Sequence, residues 1–285
     1  MIDLRLLDQL ATFASLGTLS AAAEKLHTSQ PALSRSMKQL EEELGVALFS
    51  RTKNHLTLTE TGQKAAEYAA QVLAASQDFE AKVKAFDRSL HTLSIGYCAP
   101  IPQAVLTPII SACFSGMTLA FDMTDDVGFL DLLDQGVYQL CVVHEAPADE
   151  KYLCKKCGHE DLYIAVVPQH PLAAKKELRL SDLDGLSLLL LHDIGFWHNM
   201  HQSKTPHTRY LHQHDRMAFT DIAIHSPYPI FASGYQIKRG EGPAGRVCIP
   251  IVDPEAHTDY YLVCLRADQD KYTDLFRQVS ASTID

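Results

Sequence analysis

TLSAAAEKLHTSQPALSRSMKQLEEELGVALFSRTKNHLTLTETG, residues 18–62, is the stretch that decides the predicted fold of the N-terminal part of the chain. Its start predicts a short alanine-rich helix over about residues 20–26. Ser29 is then a favourable N-cap, and Pro31 falls in the first turn of a second helix, where its missing N–H group costs nothing. This second helix should stop at Gly45, so the stretch contains two helices with a tight joint between them.

The second of these helices has an apolar face and a polar face. Its apolar side chains recur at spacings of four, three and four residues: Leu33, Met37, Leu40 and Leu44. Another side carries hydrogen-bonding or basic side chains: Gln30, Ser34, Arg35 and Lys38. Gln and Arg bond purine edges bidentately, whereas Ser, Lys and a capped helix N-terminus suit phosphate oxygens. The pattern indicates insertion in the major groove of DNA, and the alternative is an ordinary amphipathic helix with a solvated polar face.

A basic hairpin is predicted after the second helix. Leu48 and Phe49 form an apolar plug, residues 51–55 carry basic side chains, and residues 56–59 alternate as a strand does. The strand should end at Thr61–Gly62. Beside a helix pair such a hairpin is a wing, and it favours DNA binding over the alternative of a merely solvated helix.

The first 62 residues resemble the winged helix-turn-helix of the LysR-type transcriptional regulators. The residues that carry this resemblance are Phe13, Ser20, Ala22, Ala23, Leu26, Ser29, Gln30, Pro31, Ala32, Ser34, Leu40, Glu41, Leu44, Gly45, Leu48, Phe49, Arg51, Leu58, Thr59 and Gly62. The DNA-binding residues expected from the helix face, the wing and the resemblance are Ser29, Gln30, Pro31, Ser34, Arg35, Lys38, Arg51 and His55. The resemblance implies a regulator that binds double-stranded DNA, with RNA polymerase as a further partner.

A long helix is predicted from about Thr61 to Leu90, because this segment has no proline and no glycine after Gly62. Its a and d positions over more than three heptads are Ala65, Ala69, Val72, Ser76, Phe79, Val83, Phe86 and Leu90. A helix of about 30 residues is roughly 45 Å long and too exposed to bury this seam alone. We expect a homodimer interface here, as the resemblance also implies, and a homotetramer of such dimers. The alternative is a helix packed on its own second domain.

The charge of the chain argues against a simple basic nucleic-acid binder. Its 285 residues, enough for two or three domains, have a net charge of −10. Residues 1–90 hold ten basic and eleven acidic side chains, and the remainder holds 15 and 24, so the acidity lies mainly in the second part. DNA affinity must therefore come from the local placement of charge, with several subunits on one DNA site.

No targeting or membrane segment is expected. The sequence has no apolar run of 18 residues and no basic region ahead of an apolar run at its N-terminus. The predicted location is the cytoplasm, where the seven cysteines would stay reduced. Motifs of serine hydrolases, phosphate-binding loops, dinucleotide sites and zinc proteases are absent, so we expect no enzyme and no cofactor.

From residue 92 onward, predicted strands alternate with predicted helices, as in a parallel sheet. Strands are expected at residues 93–98, 117–123, 139–143, 162–167, 186–191, 218–222, 247–252 and 260–265, and helices at 103–114, 127–133 and 269–279. The segment resembles, more loosely than the first 62 residues, the two-lobed, periplasmic-binding-protein-like effector domain of the same family. Residues 223–245 depart from the family pattern.

The expected fold is an α+β multi-domain protein. It comprises an N-terminal winged helix-turn-helix at residues 1–62, a linker helix at 63–91, and a C-terminal two-lobed α/β effector domain at 92–285, with lobe I at about 92–161 and 266–285 and lobe II at about 162–265. The chain should therefore cross between the lobes near Leu162 and near Leu265.

A small-molecule effector is expected beyond the carboxyl ends of the strands, where ligands bind in open parallel sheets. The residues at those positions are Cys98, Ala99, Pro100, Ile101, Thr124, Asp125, Asp126, His144, His192 and Phe196. The resemblance implies Ser or Thr near 98–100 for a ligand carboxylate, so Cys, Ala and Pro disfavour a carboxylate and the acids favour a cationic or hydroxyl-rich ligand. Alternatively, Asp125 or Asp126 caps the helix predicted near Val127.

Two further groups of residues are of types that bind metals. Cys154, Cys157 and His159 form a CxxCxH pattern, and six of the 14 histidines fall between residues 192 and 214. A single CxxC pair is weak evidence, and it fits a thiol redox pair or two loop thiols equally well. A metal- or redox-responsive regulator sensing through Cys154, Cys157 and His159 is thus the alternative function. We assign no metal site and expect the histidine-rich run to form a solvated helix and loop.

Overall fold

The computed structural model describes residues 2–51, 56–200 and 204–285, without the side chains of Arg51, Asn199 and Met200. The chain divides into two compact units, Met1–Lys84 and Ala85–Asp285. No helix in the described part of the chain is both long enough and apolar enough to cross a membrane.

The N-terminal unit contains three helices, a two-stranded hairpin and most of a long helix. Its elements are α1 (Leu4–Leu16), α2 (Leu19–Lys25), α3 (Gln30–Leu44), β1 (Phe49–Arg51), β2 (Leu56–Leu58) and α4 (Glu60–Ser89). Strands β1 and β2 pair antiparallel, which confirms the predicted hairpin. Leucine side chains of α1 and α3, Phe13, and the small Ala22 and Ala23 of α2 are buried in one core, so the helices pack closely.

The ends of α3 confirm the predicted caps. The Ser29 hydroxyl accepts a hydrogen bond from the Ala32 N–H at 3.3 Å, and Gly45 adopts the left-handed conformation at φ 68°. Leu33 and Met37 are fully buried, as the apolar spacing predicts. Leu44 is an exception, because it is 38% exposed in the last turn, where the helix passes the edge of the core.

A carboxylate of α3 holds the start of the wing. Glu41 Oε1 accepts hydrogen bonds from the N–H groups of Leu48 and Phe49, at 2.8 and 2.9 Å. At the other side of the hairpin, a Cβ on Gly62 would lie 2.0 Å from the Leu48 carbonyl oxygen, so only glycine fits there. Gly62 lies in the first turn of α4 rather than in a turn that ends a strand.

The C-terminal unit is a mixed α/β structure. Its elements are β3 (Thr92–Tyr97), α5 (Pro100–Cys113), β4 (Thr118–Met123), α6 (Phe129–Asp134), β5 (Leu140–Val143), β6 (Tyr152–Val166), β7 (Ser187–Leu191), α7 (Trp197–Met200), β8 (Arg209–Gln213), α8 (Arg216–His225), β9 (Ile230–Ser233), α9 (Gly234–Lys238), β10 (Val247–Pro250), β11 (His257–Leu265) and α10 (Gln269–Gln278). Short 3₁₀ turns connect some of these elements.

The long strand β6 passes through both lobes of this unit. Up to Asp161 it pairs with β11, and from Leu162 it pairs with β9 and β10. The strand order is β4-β3-β5-β11-β6 in the first lobe and β10-β6-β9-β7-β8 in the second. Strand β3 is parallel to β4 and β5, but β11 and β10 run antiparallel to their neighbours, so the sheet is mixed rather than parallel.

Several predictions for this unit are wrong. The second crossover precedes β11 and does not fall near Leu265, because β11 pairs with β5 and β6 of the first lobe. The segment Ala218–Ile222 lies in helix α8, not in a strand. The histidine-rich run contains a helix, as predicted, in α7, but its later part is strand β8, which pairs in parallel with β7. Residues 223–245, which depart from the family pattern, contain β9 and α9.

Candidate DNA-binding face and effector cavity

The polar face of α3 is available to a partner in the N-terminal unit. Gln30, Pro31, Arg35 and Lys38 are exposed, and Ser34 is half-buried. Because Leu33 and its apolar neighbours are fully buried on the opposite face, the helix has one fixed orientation in the unit. The side chains that could contact a nucleic acid therefore lie together on an accessible surface.

Two residues of this face have partners within the unit. The Ser29 hydroxyl caps α3, so it stabilises the helix N-terminus and leaves further backbone N–H groups of the first turn for an anion. Lys38 Nζ lies 3.5 Å from a Glu42 carboxylate oxygen. Both side chains of this ion pair are about two-thirds exposed, so a phosphate can replace Glu42 at little cost.

The described part of the wing consists of strands β1 and β2. The backbone of Arg51 ends strand β1, where it pairs with Leu56. His55, predicted to bind DNA, lies outside the described residues, as does the side chain of Arg51.

Helix α4 carries an exposed apolar stripe. Ala69 is buried in the core of the N-terminal unit, whereas later a and d positions are exposed: Val72, Phe79, Val83, Phe86 and Leu90. Phe79 and Phe86 are 67% and 66% exposed, which is unusual for side chains of this size. A row of large apolar side chains that a single chain leaves uncovered marks a surface for association.

A cavity of about 170 Å³ lies between the two lobes of the C-terminal unit. Its walls are mostly apolar and come from both lobes, with Ile101 from the first and Leu190, Phe219 and Phe231 from the second. Polar groups enter at a few points: Glu160, Ser233, Gln236 and Arg216. An apolar cavity with a few converging polar groups is the usual form of a small-molecule site.

Glu160 is the buried acid of this cavity, with only 3% of its surface exposed. Tyr260 Oη donates a hydrogen bond to its carboxylate, and Trp197 Nε1 donates to Tyr260 Oη at 3.2 Å. Burial raises the pKa of Glu160, although hydrogen bonds from Ser233 and Tyr260 act in the opposite direction. The acid is therefore held in place by donors and faces an apolar volume.

The residues predicted to bind an effector fall into separate groups. Pro100 and Ile101 line the cavity. Cys98 and Ala99 are fully buried beside them. Thr124, Asp125 and His192 line a second depression, of about 250 Å³, to which both lobes contribute. That depression and the cavity are thus two candidate places for a ligand rather than one.

Asp126, His144 and Phe196 form the remaining group. Asp126 Oδ2 accepts hydrogen bonds from the backbone N–H and from Nδ1 of His144, at 2.8 and 2.7 Å. The His144 ring stacks on Phe196 of the second lobe, with ring centroids 4.4 Å apart and an interplanar angle of 4°. The N-cap residue of helix α6 is Gly128 rather than Asp125 or Asp126.

The lobes also touch through backbone at Gly195. The Phe196 N–H donates a hydrogen bond to the Cys98 carbonyl at 2.9 Å. Gly195 has φ +63°, and a Cβ on it would lie 1.8 Å from the same carbonyl oxygen. Only glycine permits this approach of the second lobe to the first.

The CxxCxH pattern does not form one cluster. All seven cysteines are free thiols, and burial raises the pKa of Cys154 to about 11 and that of Cys157 to about 12. Among the described residues, His159 converges with Asp161 and His257 instead of with these thiols. The alternative sensing group of Cys154, Cys157 and His159 therefore needs a correction, because His159 lies with Asp161 and His257.

Comparison with known proteins places the two parts of the chain in one family. Residues 4–63 match the family described as bacterial regulatory helix-turn-helix protein, lysR family, and residues 87–283 match the LysR substrate binding domain. The chain belongs to the LysR family. The predicted winged helix-turn-helix and two-lobed α/β domain are thereby confirmed.

Curated relatives of this LysR-family protein are transcriptional regulators or gene activators. It is 27% identical over 185 residues to the RuBisCO operon transcriptional regulator of Allochromatium vinosum, an alignment that covers 64% of this chain and 61% of the relative. It is 29% identical over 194 residues to the HTH-type transcriptional regulator CfxR of Cupriavidus necator, covering 66% and 61%. It is 28% identical over 200 residues to the hydrogen peroxide-inducible genes activator of Dickeya chrysanthemi, covering 67% and 64%. The matched part thus spans less than two thirds of these relatives.

A solved structure shares the fold of this LysR-family protein. A full-length OxyR variant from Pseudomonas aeruginosa has a TM-score of 0.50 and 20% identity, and the match covers 100% of this chain and 97% of that one. At this identity the likeness concerns the fold alone.

Sequence reasoning missed most of the cavity of this LysR-family protein. Glu160, Phe219 and Ser233 line it, but none lies in the segments that the parallel-sheet rule selects. The available signal was the single acid at position 160 in a strand whose neighbouring residues at 162 and 164 are apolar. A lone acid on the buried side of a strand requires donors, and it therefore marks a polar site.

Proposed function

We propose that this LysR-family protein is a cytoplasmic, DNA-binding transcriptional regulator and not an enzyme. The observation that carries the proposal is the exposed polar face of α3, with Gln30, Arg35 and Lys38 held outward by a fully buried apolar face. Residues 1–62 would be the DNA-binding domain, residues 63–91 the dimerisation helix and residues 92–285 the effector domain. RNA polymerase is the partner through which such a regulator would act on transcription.

Arg35→Ala tests the contact with DNA. If Arg35 bonds a base edge, its loss should weaken specific binding by ~1–3 kcal/mol and relax base preference at one position of the site. The site would first be selected from random duplexes with the full chain, and the affinities of variants measured against it at fixed salt.

Arg5→Ala is the matched control for this experiment. Arg5 is an exposed arginine in the same unit, on α1 rather than α3. This variant should keep the selected motif, with at most a small change in affinity. An Arg35→Ala protein with an unchanged motif and affinity would contradict the assignment of Arg35 as a base-contacting residue.

We further propose that a small-molecule effector binds between the lobes. The cavity of about 170 Å³ is smaller than most drug-sized sites, which favours a compact ligand. Its apolar walls and buried Glu160 favour an apolar body with one hydrogen-bond donor or cationic group. The effector would act by population shift, since it must bind one arrangement of the lobes more tightly than the other.

A thermal-shift screen of small amines, alcohols and carboxylates against the full chain tests this proposal. Compounds that stabilise the protein should lose their effect in Ala232→Leu, which puts three extra carbons into the cavity wall. Each variant is compared with its own ligand-free melting temperature, so a loss of intrinsic stability does not mimic a loss of binding. Stabilisation that survives in Ala232→Leu would place the ligand elsewhere, for example in the depression at Thr124 and His192.

A second candidate function is thiol redox sensing through Cys154 and Cys157, because several relatives are named as hydrogen peroxide-inducible genes activators. The raised pKa of both thiols disfavours the thiolate that reacts with peroxide. We therefore rank it below a small-molecule effector. Intact-protein mass spectrometry after mild peroxide treatment should find both residues as free thiols, and rapid disulfide formation between them would reverse this ranking.

A further inference from the structure

Two histidines and two aspartates form cross-strand pairs on one face of the β6–β11 ladder. The register pairs His257 with Asp161 and Asp259 with His159. Because side chains alternate along a strand, these four residues point to one side of the ladder, while Glu160 and its partner Tyr260 point to the other. All four are partly exposed, whereas Glu160 and Tyr260 are buried.

Two imidazoles converge on a single carboxylate oxygen in this group. His159 Nε2 lies 2.9 Å from Asp161 Oδ1, and His257 Nδ1 lies 2.7 Å from the same atom. One potential ligand atom from each of the three residues lies within 4.8 Å of the others. Within the described residues, this is the one group of three histidine, cysteine or acidic side chains with such convergence.

A second carboxylate, that of Asp259, orients the ring of His159. His159 Nδ1 is 2.8 Å from Asp259 Oδ1, and Lys156 Nζ is 2.7 Å from the same oxygen. Asp259 therefore fixes the ring of His159 by accepting a hydrogen bond from Nδ1–H, so that Nε2 is the nitrogen that can bind an ion in place of its own proton. A carboxylate behind a histidine in this way is the arrangement that orients metal-binding imidazoles.

We propose that His159, Asp161 and His257 bind a divalent transition-metal ion, with zinc as the best match. Two imidazoles and a carboxylate are a common three-residue ligand set for this ion, with an open fourth position. A tetrahedral ion with bonds of about 2.0–2.1 Å separates its ligands by about 3.3 Å, so each N–O distance must lengthen by only about half an ångström. The ion would replace the proton now shared in each contact.

The site would tie together both segments that join the lobes. Asp161 is the last residue of β6 that pairs with β11, and His257 is the first residue of β11 after the crossover from β10. An ion held by both would stiffen this junction, one residue away from Glu160 in the cavity. Metal binding would then bias the movement of the lobes, a consequence that rests on the proposed regulatory function, although the metal site itself does not.

The test is a titration of the full chain, freed of metal by chelation, with zinc chloride in a calorimeter and with cobalt chloride in a visible spectrometer. The wild type should bind one ion at this site and show tetrahedral ligand-field bands with cobalt. His257→Gln and His159→Gln should each weaken binding by about tenfold or more and remove the bands, and Asp259→Asn should weaken it by about tenfold. Melting temperatures without metal establish that each variant is folded.

His207→Gln is the matched control. His207 Nδ1 lies 2.9 Å from Asp184 Oδ2, so it also has a carboxylate partner, but the two do not belong to a converging group of three among the described residues. This variant should bind zinc and cobalt as the wild type does. Equal losses in His207→Gln and His257→Gln would indicate unspecific binding to surface histidines and overturn the proposal.

A second outcome would also overturn it. The rings of His192, His198 and His212 in the second lobe have centroid separations of 5.6, 6.0 and 5.8 Å, so they are an alternative set of imidazoles. If His192→Gln with His212→Gln abolished zinc binding while His257→Gln did not, the ion would belong to that set. DNA binding by the metal-free wild type, measured in parallel, separates failure of this inference from failure of the proposed function.

Discussion

The contact between Asp126 and His144 shows how two single residues adjust each other in the cleft between the lobes. The hydrogen bond that His144 donates to Asp126 raises the pKa of His144 above its ordinary value, although burial of the ring opposes this. Burial alone would raise the pKa of Asp126, but the hydrogen bonds from His144 outweigh it and hold the pKa below its ordinary value. Because the imidazole also stacks on Phe196, the ring that carries this charge lies in a contact between the lobes.

Asp126→Asn should lower the pKa of His144, since burial would then act almost alone. The raised histidine pKa stabilises the fold below the unfolded value of about 6.5, and this stabilisation is lost as pH rises through the folded value. The lowered aspartate pKa stabilises the fold above about pH 4, and this stabilisation is lost as pH falls through the folded value. The stability advantage of the wild type should thus be largest between about pH 4 and pH 6.5 and shrink toward pH 9.

NMR titration of the His144 ring and urea unfolding at several pH values measure these two effects. His225 serves as an internal reference in the NMR experiment, since its ring contacts a backbone carbonyl and no carboxylate among the described contacts. Parallel stability–pH profiles for the wild type and Asp126→Asn would contradict the assigned coupling.

At the level of elements, helix α3 and strand β1 are joined by one carboxylate. Glu41 accepts from two consecutive backbone N–H groups, those of Leu48 and Phe49, whose side chains are buried. A side chain of α3 therefore fixes the position of the backbone where the wing begins. In the sequence, Glu41 is one of three consecutive glutamates, and nothing in their pattern distinguishes it from its neighbours.

Glu41→Ala should destabilise the start of the wing by about 1–3 kcal/mol, because two part-buried N–H groups lose their acceptor. Glu42→Ala is the control, since Glu42 is exposed and only pairs with Lys38. Hydrogen exchange of peptides that cover residues 45–51 is the suitable measurement, because the single Trp197 lies in the other unit and does not report on the wing. Equal protection in both variants would contradict the role of Glu41.

Helices were predictable where caps and spacing agreed, as at Ser29 and Gly45. The prediction failed for α8, whose Asp215 N-cap accepts from the Ala218 N–H at 2.7 Å, because the apolar residues beyond it were taken as a strand. The first part of β6 was missed because Lys155, Lys156 and His159 interrupt its apolar pattern, and of these Lys156 and His159 lie on one face of the ladder beside Asp259. Glu160 of the cavity was missed with it, since it lies in that segment.

For the whole molecule, the exposed stripe of α4 is the feature that bears on assembly. We propose that a second copy of the chain covers it, as the heptad spacing predicts. Phe79 and Phe86 lie seven residues apart, so both fall on the same side of the helix and would meet a partner helix together. Two reading helices held by one dimer would then contact one DNA.

Phe79→Glu combined with Phe86→Glu should convert the dimer to a monomer at micromolar concentration. Each buried phenylalanine contributes about 1.5–3 kcal/mol, so the loss of two per chain should weaken association by at least about two orders of magnitude. Gln77→Glu is the control, because it adds a charge at an exposed position of α4 outside the predicted seam. Light scattering after gel filtration gives the masses, and a doubly substituted protein that stays dimeric would show that the interface lies elsewhere.

Gly195 has a consequence for how such a protein is tuned. A hydrogen atom stands where every other residue carries carbon, and it lets the loop of one lobe rest on the Cys98 carbonyl of the other. The Cβ of an alanine there would collide with this carbonyl oxygen and hold the two lobes apart. A ligand that binds only when the lobes touch would have to offset this steric cost from its own binding energy. One methyl group would thus set the concentration at which the protein responds.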